Sequence, residues 1–189
     1  MKIITDYTKL ADHSIRYLAV DVETTGLSSY SDRVVELGAL LFKGADLLDS
    51  LETLVNPGIP IPEVVSGIHG ITDAMVSESP SFSSLLKDLE RLTEGAILLA
   101  HNATFDMGFL NAELARDGRP SLDVEIVDTL HMARKAFPGL KSYALGSLAE
   151  TLGIEVQSAH RAGDDCRVCY ELFVKCRNTL NPGGQLDMF

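Results

Sequence analysis

The sequence predicts one α/β domain built on a mixed β-sheet, and three observations support this fold class. The chain has 189 residues, which is enough for one domain with a substantial core and few for two. Strand-like segments come first, separated only by short polar turns, which favours antiparallel pairing. Helical segments then alternate with short apolar strands, a pattern that favours parallel strands flanked by helices.

The individual elements follow from the spacing of apolar residues. The first three strands are predicted in RYLAVDV, RVVELGALLF and ADLLDSLETLV. The prolines of NPGIPIP exclude regular structure, and a helix is expected over residues 81–93. GAILLA then predicts a buried strand, ATFDMGFLNAELARDG a helix closed by Gly118, and VEIVDT a last short strand. Two more helices are expected in KSYALGSLAETLG and RAGDDCRVCYELFVKCRNTL.

We divide the chain into an N-terminal extension (1–16), a main domain (17–180) and a flexible C-terminal tail (181–189). Residues 1–16 lack the apolar run of a signal peptide, and no apolar run is long enough to cross a bilayer. The three cysteines, an odd number, argue against a disulfide framework and favour a cytoplasmic location. We therefore expect no membrane partner.

Charge and cysteine spacing restrict the possible functions. The formal net charge of −11 argues against a protein that grips nucleic acid through a broad basic face. It leaves open an enzyme in which metal ions, rather than lysines, meet the phosphates. Cys166 and Cys169 form a C-x-x-C within a helical stretch, but no second ligand pair accompanies them, so buried thiols are favoured over a zinc site.

Two acids, Asp21 and Glu23, stand at the end of the first predicted strand. Because they are two residues apart, their side chains point to the same face of the sheet. Like charges side by side are destabilising unless something positive joins them, and a bound divalent cation would do so. The alternative is a polar strand end that runs into a turn made by Thr24, Thr25 and Gly26.

A third acid, Asp106, lies in the first turn of the predicted helix that follows His101 and Asn102. The helix dipole favours an acid in this position, which is a sufficient structural explanation by itself. Asp106 nevertheless shares a helix face with Phe109 and Leu110, whereas the dipole would be satisfied by a solvated position.

The last predicted helix contains two neighbouring aspartates, and helical spacing separates them. Asp165 aligns with an apolar stripe and is expected to face the core, whereas Asp164 lies on a mixed face and is expected to point mostly toward water. His160 precedes the helix on a loop, where a histidine is usually a cap or a surface residue. Its place five residues before an inward Asp favours a functional role.

Together these observations predict four inward carboxylates at strand and helix ends, with one loop histidine. Such a cluster is implausible in a small core without metal, and oxygen ligands suit Mg²⁺ or Mn²⁺. Two such ions form the usual arrangement for in-line phosphoryl transfer.

The spacing of these residues resembles the DEDDh, or DnaQ-like, family of 3′–5′ exonucleases. The family pattern is D-x-E, often followed by T-T-G, then H-N-x-x-F-D and H-x-x-x-x-D. The chain reads D-V-E-T-T-G from Asp21, H-N-A-T-F-D from His101 and H-R-A-G-D-D from His160. The resemblance extends over about residues 17–175 and includes GIHGIT and LKSYALGSLAETLGI.

The resemblance implies a ribonuclease-H-like fold and a role for each matched residue. Asp21, Glu23, Asp106 and Asp165 would hold two divalent metal ions, Mg²⁺ or Mn²⁺. His160 would act as general base on the attacking water, and the product would be a nucleoside 5′-monophosphate. The terminal nucleotide would be contacted by Thr24, Thr25, Leu27, Asn102 and Phe105.

The expected substrate is a single-stranded or frayed 3′ end of DNA. Within the family the chain resembles the epsilon-type proofreading exonucleases of bacterial polymerases, so a DNA polymerase is an expected partner. Two alternatives stay open: an RNA exonuclease of the ribonuclease T or oligoribonuclease type, and a catalytically silent adaptor that keeps the fold. The catalytic motifs do not separate DNA from RNA, because recognition of the 2′-OH depends on pocket geometry.

The C-terminal tail carries a second resemblance. Pro182 and the following Gly183-Gly184 should end the last helix by Asn181 and tether the final residues. The last five residues are similar to the bacterial sliding-clamp-binding motif Q-L-x-L-F, with a methionine in place of the second leucine; they are Gln185, Leu186, Asp187, Met188 and Phe189. The sliding clamp is therefore the favoured partner of the tail, and the alternative is a frayed terminus of no function.

Overall fold

A six-stranded mixed sheet forms the centre of the computed structural model, which describes residues 1–12, 14–158 and 160–181. The strands lie in the order β1-β6-β5-β2-β3-β4. Their bounds are β1 Lys2–Ile3, β2 Arg16–Thr24, β3 Val34–Lys43, β4 Asp46–Leu54, β5 Ala96–Ala100 and β6 Glu125–Asp128.

The pairing of the strands confirms the predicted fold class. Strand β3 is antiparallel to both β2 and β4, so the first three long strands form a meander. Strands β5 and β6 continue the sheet from β2 in parallel, and β1 adds a short parallel edge to β6. The first strands are antiparallel because short turns connect them, and the later strands are parallel because helices connect them.

Helices cover both faces of this sheet. The helices are α1 Glu63–His69, α2 Asp73–Val76, α3 Phe82–Thr93, α4 Ala103–Arg116, α5 Thr129–Ala136, α6 Leu145–Leu152 and α7 Ala162–Leu180. One apolar cluster joins α5, α6 and α7 to the face that carries Tyr17 and Ala19. A second cluster joins α3 and α4 to the opposite face, which carries Leu18 and Val20. Strand alternation therefore directs Asp21 and Glu23 toward the α7 side, which confirms the prediction that the two acids share one face of the sheet.

Some elements were not predicted because they are short or begin directly at a strand end. The helices α1 and α2 are too brief to show a helical period, and α5 starts immediately after β6. The N-terminal residues also pack on the domain: β1 pairs with β6, and Tyr7 and Leu10 of a 3₁₀ turn (Tyr7–Ala11) are buried. The N-terminal extension (1–16) thus contributes a strand and buried side chains to the domain.

The last helix ends where the sequence predicts. Helix α7 stops at Leu180, and Asn181 is its C-cap. The motif Gln185–Phe189 lies outside the described residues.

All three cysteines are free and buried, as expected for structural thiols. In the part of the chain that the structure describes, no helix combines the length and apolarity needed to cross a membrane.

A glycine brings the N-terminus of α7 into direct contact with the sheet. Gly38 of β3 pairs with Asp21 of β2, and a Cβ placed on it would lie 2.4 Å from the carbonyl oxygen of Ala162. Only a residue without a side chain permits this approach. The first turn of α7, which carries Asp165, is thereby held beside the acids of β2.

We predict that Gly38→Ala pushes this turn of α7 off the sheet. The added methyl group meets backbone rather than a movable side chain, so the free energy of unfolding should fall by about 1–3 kcal/mol. The matched control is Gly67→Ala in α1, where a Cβ has nothing within 4 Å. Thermal unfolding of both variants measures the difference, and equal stability would show that α7 does not need the close contact.

Candidate active site

The predicted acids converge on one concave pocket at the ends of β2 and β5. Asp21 and Glu23 come from β2, Asp106 from α4, and Asp165 from α7. The residues that line the pocket are Asp21, Val22, Glu23, His101, Asn102, Phe105, Asp106, Ala144, Leu145, Gly146, Val156, His160, Asp165 and Val168. Residues far apart in sequence thus meet where the sheet changes from antiparallel to parallel.

Asp106 is fixed in the floor of this pocket. Its side chain is buried, and its Oδ1 accepts a hydrogen bond of 3.3 Å from the backbone N–H of Val22. This contact joins α4 to β2 directly beside Asp21. The first turn of the helix also supplies favourable backbone dipoles for the charge. The prediction that Asp106 faces inward is therefore confirmed.

Glu23, His160 and Asp165 form the more open side of the pocket. One donor atom from each lies within 4.8 Å of the others, a spacing suited to a shared ligand. The Glu23 and Asp165 side chains are half-buried, whereas His160 is exposed. The histidine can therefore reach both the carboxylates and the solvent.

Burial and mutual repulsion disturb the protonation of these acids. The pKa of Asp21 is raised well above its ordinary value by burial and then by the charges of Asp106 and Asp165. Burial raises the pKa of Asp106 to about 8, against the opposing effect of its backbone hydrogen bonds. The pKa of Glu23 is raised to about 7 by burial and by neighbouring acids, and burial raises that of Asp165 as well.

This donor set fits divalent cations. Within the part of the chain that the structure describes, no arginine or lysine lines the pocket, so the carboxylates are not neutralised from within it. Carboxylate oxygens with an optional imidazole nitrogen are ligands for Mg²⁺ or Mn²⁺. A bound cation would stabilise the ionised acids and so offset both the burial and the repulsion that raise their pKa values.

The segment that carries His160 is tied down on both sides. After it, Arg161 makes a two-pronged ion pair with the buried Glu36 of β3, which also accepts the N–H of Ala162. Before it, Asp164 accepts the backbone N–H groups of Gln157 and Ser158 at 2.7 and 2.8 Å. His160 itself has a φ of 60°, which is uncommon for a residue with a side chain and often marks a functional position.

The expected exposure of Asp164 is wrong. Its side chain is only 9% exposed, because it accepts the N–H groups of the loop and pairs with Arg167 at 2.8 Å. These hydrogen bonds and the arginine together lower its pKa, against the effect of burial. Helical spacing places it correctly on a mixed face, but only the fold brings the loop back over that face.

The sequence analysis does not identify Glu36 and Asp128, two acids that hold segments next to the pocket in place. Glu36 is an acid inside the apolar run VVELGALL, directly opposite Glu23, and this unusual position could have flagged it. Asp128 ends β6, caps α5 and accepts the N–H of Asn102 at 3.3 Å. It therefore fixes the H-N segment, a contact that only the parallel pairing of β5 and β6 reveals.

The predicted nucleotide-contacting residues separate into two groups. Asn102 and Phe105 line the pocket, and together with Leu27, which is 89% exposed, they also line an adjoining groove. Thr24 and Thr25 are buried, and their hydroxyls bond the backbone of the turn at Gly26 and Arg33. In this structure the two threonines shape the turn that carries Leu27.

Comparison with known proteins identifies the family. The family model named RNase_T, described as exonuclease, matches residues 18–173. The chain belongs to the exonuclease family. With the DEDDh residues gathered in one pocket, it is a 3′–5′ exonuclease of that class.

Individual relatives agree with this assignment. The chain is 42% identical to the DNA polymerase III subunit epsilon of Treponema pallidum, over 90% of this exonuclease and 80% of that protein. It is 34% identical to the PolC-type DNA polymerase III of Caldanaerobacter subterraneus, over 89% of its own length but 12% of the relative. The exonuclease thus corresponds to a small part of the PolC-type polymerase.

Solved structures share the fold. Exonuclease X, determined with 5′-overhanging duplex DNA, matches with a TM-score of 0.70 and 26% identity over 89% of this chain and 93% of that chain. E. coli exonuclease I, determined with a dA16 oligonucleotide, gives a TM-score of 0.78 at 19% identity over 90% of this chain and 42% of its own. The second likeness concerns the fold alone.

We predict a pH-dependent stabilisation by Mg²⁺ or Mn²⁺. Because the folded pKa values of Asp21, Glu23 and Asp106 are raised, the folded state retains protons between about pH 4 and 8 that the unfolded state has released. Without metal, stability should therefore fall as pH rises through that window. Metal binds the ionised acids, so at a hundredfold excess over Kd it should add about 2.7 kcal/mol, with a larger effect at pH 8 than at pH 5.5.

Melting temperatures with EDTA and with each metal measure this effect. The control is Asp106→Asn, which keeps the shape of the side chain but removes one charge. It should flatten the pH dependence in EDTA and reduce the gain from metal. A wild-type protein whose melting temperature does not respond to either metal would contradict the assignment of the pocket.

Proposed function

We propose that this exonuclease removes nucleoside 5′-monophosphates from single-stranded or frayed 3′ ends of DNA during proofreading or repair. The observation that carries the proposal is the convergence of the acids of β2, α4 and α7 beside His160. The relatives named as polymerase III epsilon and PolC support an association with a DNA polymerase. The unpaired thiols are in keeping with a reducing, cytoplasmic setting.

In this proposal Asp21, Glu23, Asp106 and Asp165 hold two divalent ions. The ions would supply charge neutralisation at the scissile phosphate and would acidify the attacking water. The residues themselves set the geometry. Asp106 is locked to β2 through Val22, and Asp165 is placed by the contact of α7 with Gly38.

His160 is the proposed general base. Its ring nitrogen lies near the Glu23 and Asp165 carboxylates but on the exposed side, where it can accept a proton from water and pass it to solvent. The Glu36–Arg161 pair and the hydrogen bonds of Asp164 keep the imidazole at the rim of the pocket. The strained backbone at His160 is in keeping with such a positioned group.

DNA is favoured over RNA as substrate. The polymerase relatives and the DNA complex of exonuclease X support this choice. The complete set of acids argues against a silent adaptor. An RNA exonuclease has the same catalytic residues, so both kinds of strand belong in the test.

We predict that the wild-type protein with Mg²⁺ or Mn²⁺ releases mononucleotides from a labelled single strand. Asp21→Asn should abolish release while thermal unfolding stays cooperative, because the change removes a ligand charge but keeps the shape. His160→Ala should slow the reaction by about 10²–10⁴-fold with little loss of metal affinity. Near-normal cleavage by Asp21→Asn would contradict the metal assignment, and faster cleavage of RNA than of DNA would reverse the substrate choice.

A sliding clamp is the proposed recruiting partner. The support is the sequence of the tail, in which Gln185 provides a polar contact and the side chains of Leu186, Met188 and Phe189 suit apolar pockets. An acidic exonuclease binds DNA weakly by itself, and tethering to a clamp would raise its local concentration at DNA.

Deleting residues 185–189 should abolish binding to the clamp of the same organism, as measured by calorimetry. Cleavage of a short oligonucleotide should be unaffected, because the last helix already ends at Leu180. The control is Asp187→Ala, which changes the variable position of the motif and should retain binding. If the full-length protein shows no affinity for the clamp, the recruitment proposal fails.

A further inference from the structure

A second groove opens beside the acidic pocket and shares part of its wall. His101, Asn102 and Ala144 line both cavities, so the two lie side by side. The other residues of this groove are Leu130, Arg134, Lys141 and Tyr143. We call Arg134 and Lys141 the basic rim. Among the described residues no acid lines the groove, although acids outnumber lysines and arginines by 27 to 16 in the chain.

The charges of the basic rim are not used inside the protein. Most other arginines lie within 4 Å of a carboxylate; these are Arg33, Arg91, Arg116, Arg119, Arg161 and Arg167. Among the residues that the structure describes, Arg134 and Lys141 have no such partner, and both are exposed. The guanidinium of Arg134 instead lies 5.7 Å from the ring centroid of Tyr143, which orients it without neutralising it.

The loop that carries Lys141 is fixed to the catalytic motif. The hydroxyl of Tyr143 donates to the carbonyl of Phe137 at 2.7 Å and accepts the N–H of Leu140, which closes the loop on itself. His101 Nε2 contacts the carbonyl oxygen of Tyr143 at 2.8 Å. Since a carbonyl only accepts, Nε2 of His101 donates, and its Nδ1 lies 3.0 Å from the hydroxyl oxygen of Thr129. Burial lowers the pKa of His101, which keeps this neutral form.

We propose that the basic rim binds backbone phosphates of the single strand on the 5′ side of the scissile phosphate. This inference rests on the proposed function and extends it by naming the path of the strand. The strand would enter along the groove of Arg134 and Lys141 and place its 3′ end in the acidic pocket. His101 is the positioning residue, because it lines the acidic pocket and holds the loop of Lys141 through the carbonyl of Tyr143.

Electrostatics gives the physical reason. The acids and their cations act on the phosphate that is cleaved, but the remaining phosphates approach a protein of net charge −11. Each lysine or arginine that contacts a phosphate releases a counterion and offsets this repulsion. Arg134 and Lys141, which have no carboxylate partner among the described residues, offset this repulsion next to the acidic pocket, so a broad basic surface is not required.

The salt dependence of binding tests the basic rim. The binding constant of a fluorescent single strand is measured by anisotropy with Ca²⁺ in place of Mg²⁺, between about 50 and 200 mM KCl. In the double variant Arg134→Gln/Lys141→Gln, the slope of log K against log[salt] should become smaller by about 1.4, or 0.7 for each lost contact. Affinity at about 0.1 M salt should fall by about 10- to 30-fold. An unchanged slope would overturn the inference.

The matched control removes the same charge elsewhere. Lys43→Gln/Lys87→Gln alters two exposed lysines, one at the far end of β3 and one on α3, and should keep the wild-type slope. An equal loss of slope in this control would overturn the inference, because the effect would then be one of net charge.

A short substrate separates this inference from the proposed function. The p-nitrophenyl ester of thymidine 5′-monophosphate can occupy the acidic pocket but cannot reach along the groove. If the wild-type protein cleaves neither this ester nor a single strand, the proposed function fails. The other outcome is that the wild-type protein cleaves both substrates, whereas the basic-rim variant cleaves the ester as poorly as it cleaves the strand. Arg134 and Lys141 would then act inside the pocket, and only the inference would fail.

Discussion

Repulsion among carboxylates at one end of the sheet is the constraint on which this structure depends. Burial raises the pKa values of Asp21, Asp106 and Asp165, and the charges of Asp106 and Asp165 raise that of Asp21 further. Such a cluster lowers the stability of the metal-free protein, since no arginine or lysine is among the described residues that line the pocket. The fold tolerates this cost because each acid stands on a rigid element, at the end of β2 or in the first turn of a helix.

The scaffold supports the acids through contacts that contribute no ligand. Gly38 lets α7 lie against β3, and Glu36 draws Arg161 and the start of α7 to the same strand. Asp164 fastens the preceding loop from the other side. These contacts cross large sequence distances, yet each bears on the position of His160 or Asp165. The catalytic geometry is therefore a property of the packing of α7 on the meander.

In the proposed function, the metal ions act on the phosphate that is cleaved, and the protein's own cations contact other phosphates of the strand. Six of the nine arginines pair with carboxylates of the protein, so their charges are already offset. The basic rim of Arg134 and Lys141 lies next to the acids, along the same cavity wall. An enzyme arranged in this way holds a strand at a few phosphates and leaves the rest exposed. Delivery by a partner would suit such modest intrinsic affinity.

The sequence by itself determined the strand meander, the main helices and the inward acids, because hydrophobic periodicity reports directly which face is buried. It placed Asp21 with Glu23 and chose Asp165 as the inward residue of its pair, and the structure agrees. Short-range rules also misjudged Asp164 as solvated. Its partners at 157 and 158, like the pairing of Glu36 with Arg161, arise only when a loop folds back on a distant strand. Tertiary structure decided these contacts, because periodicity describes one element at a time and contains no information on which other element will lie against it.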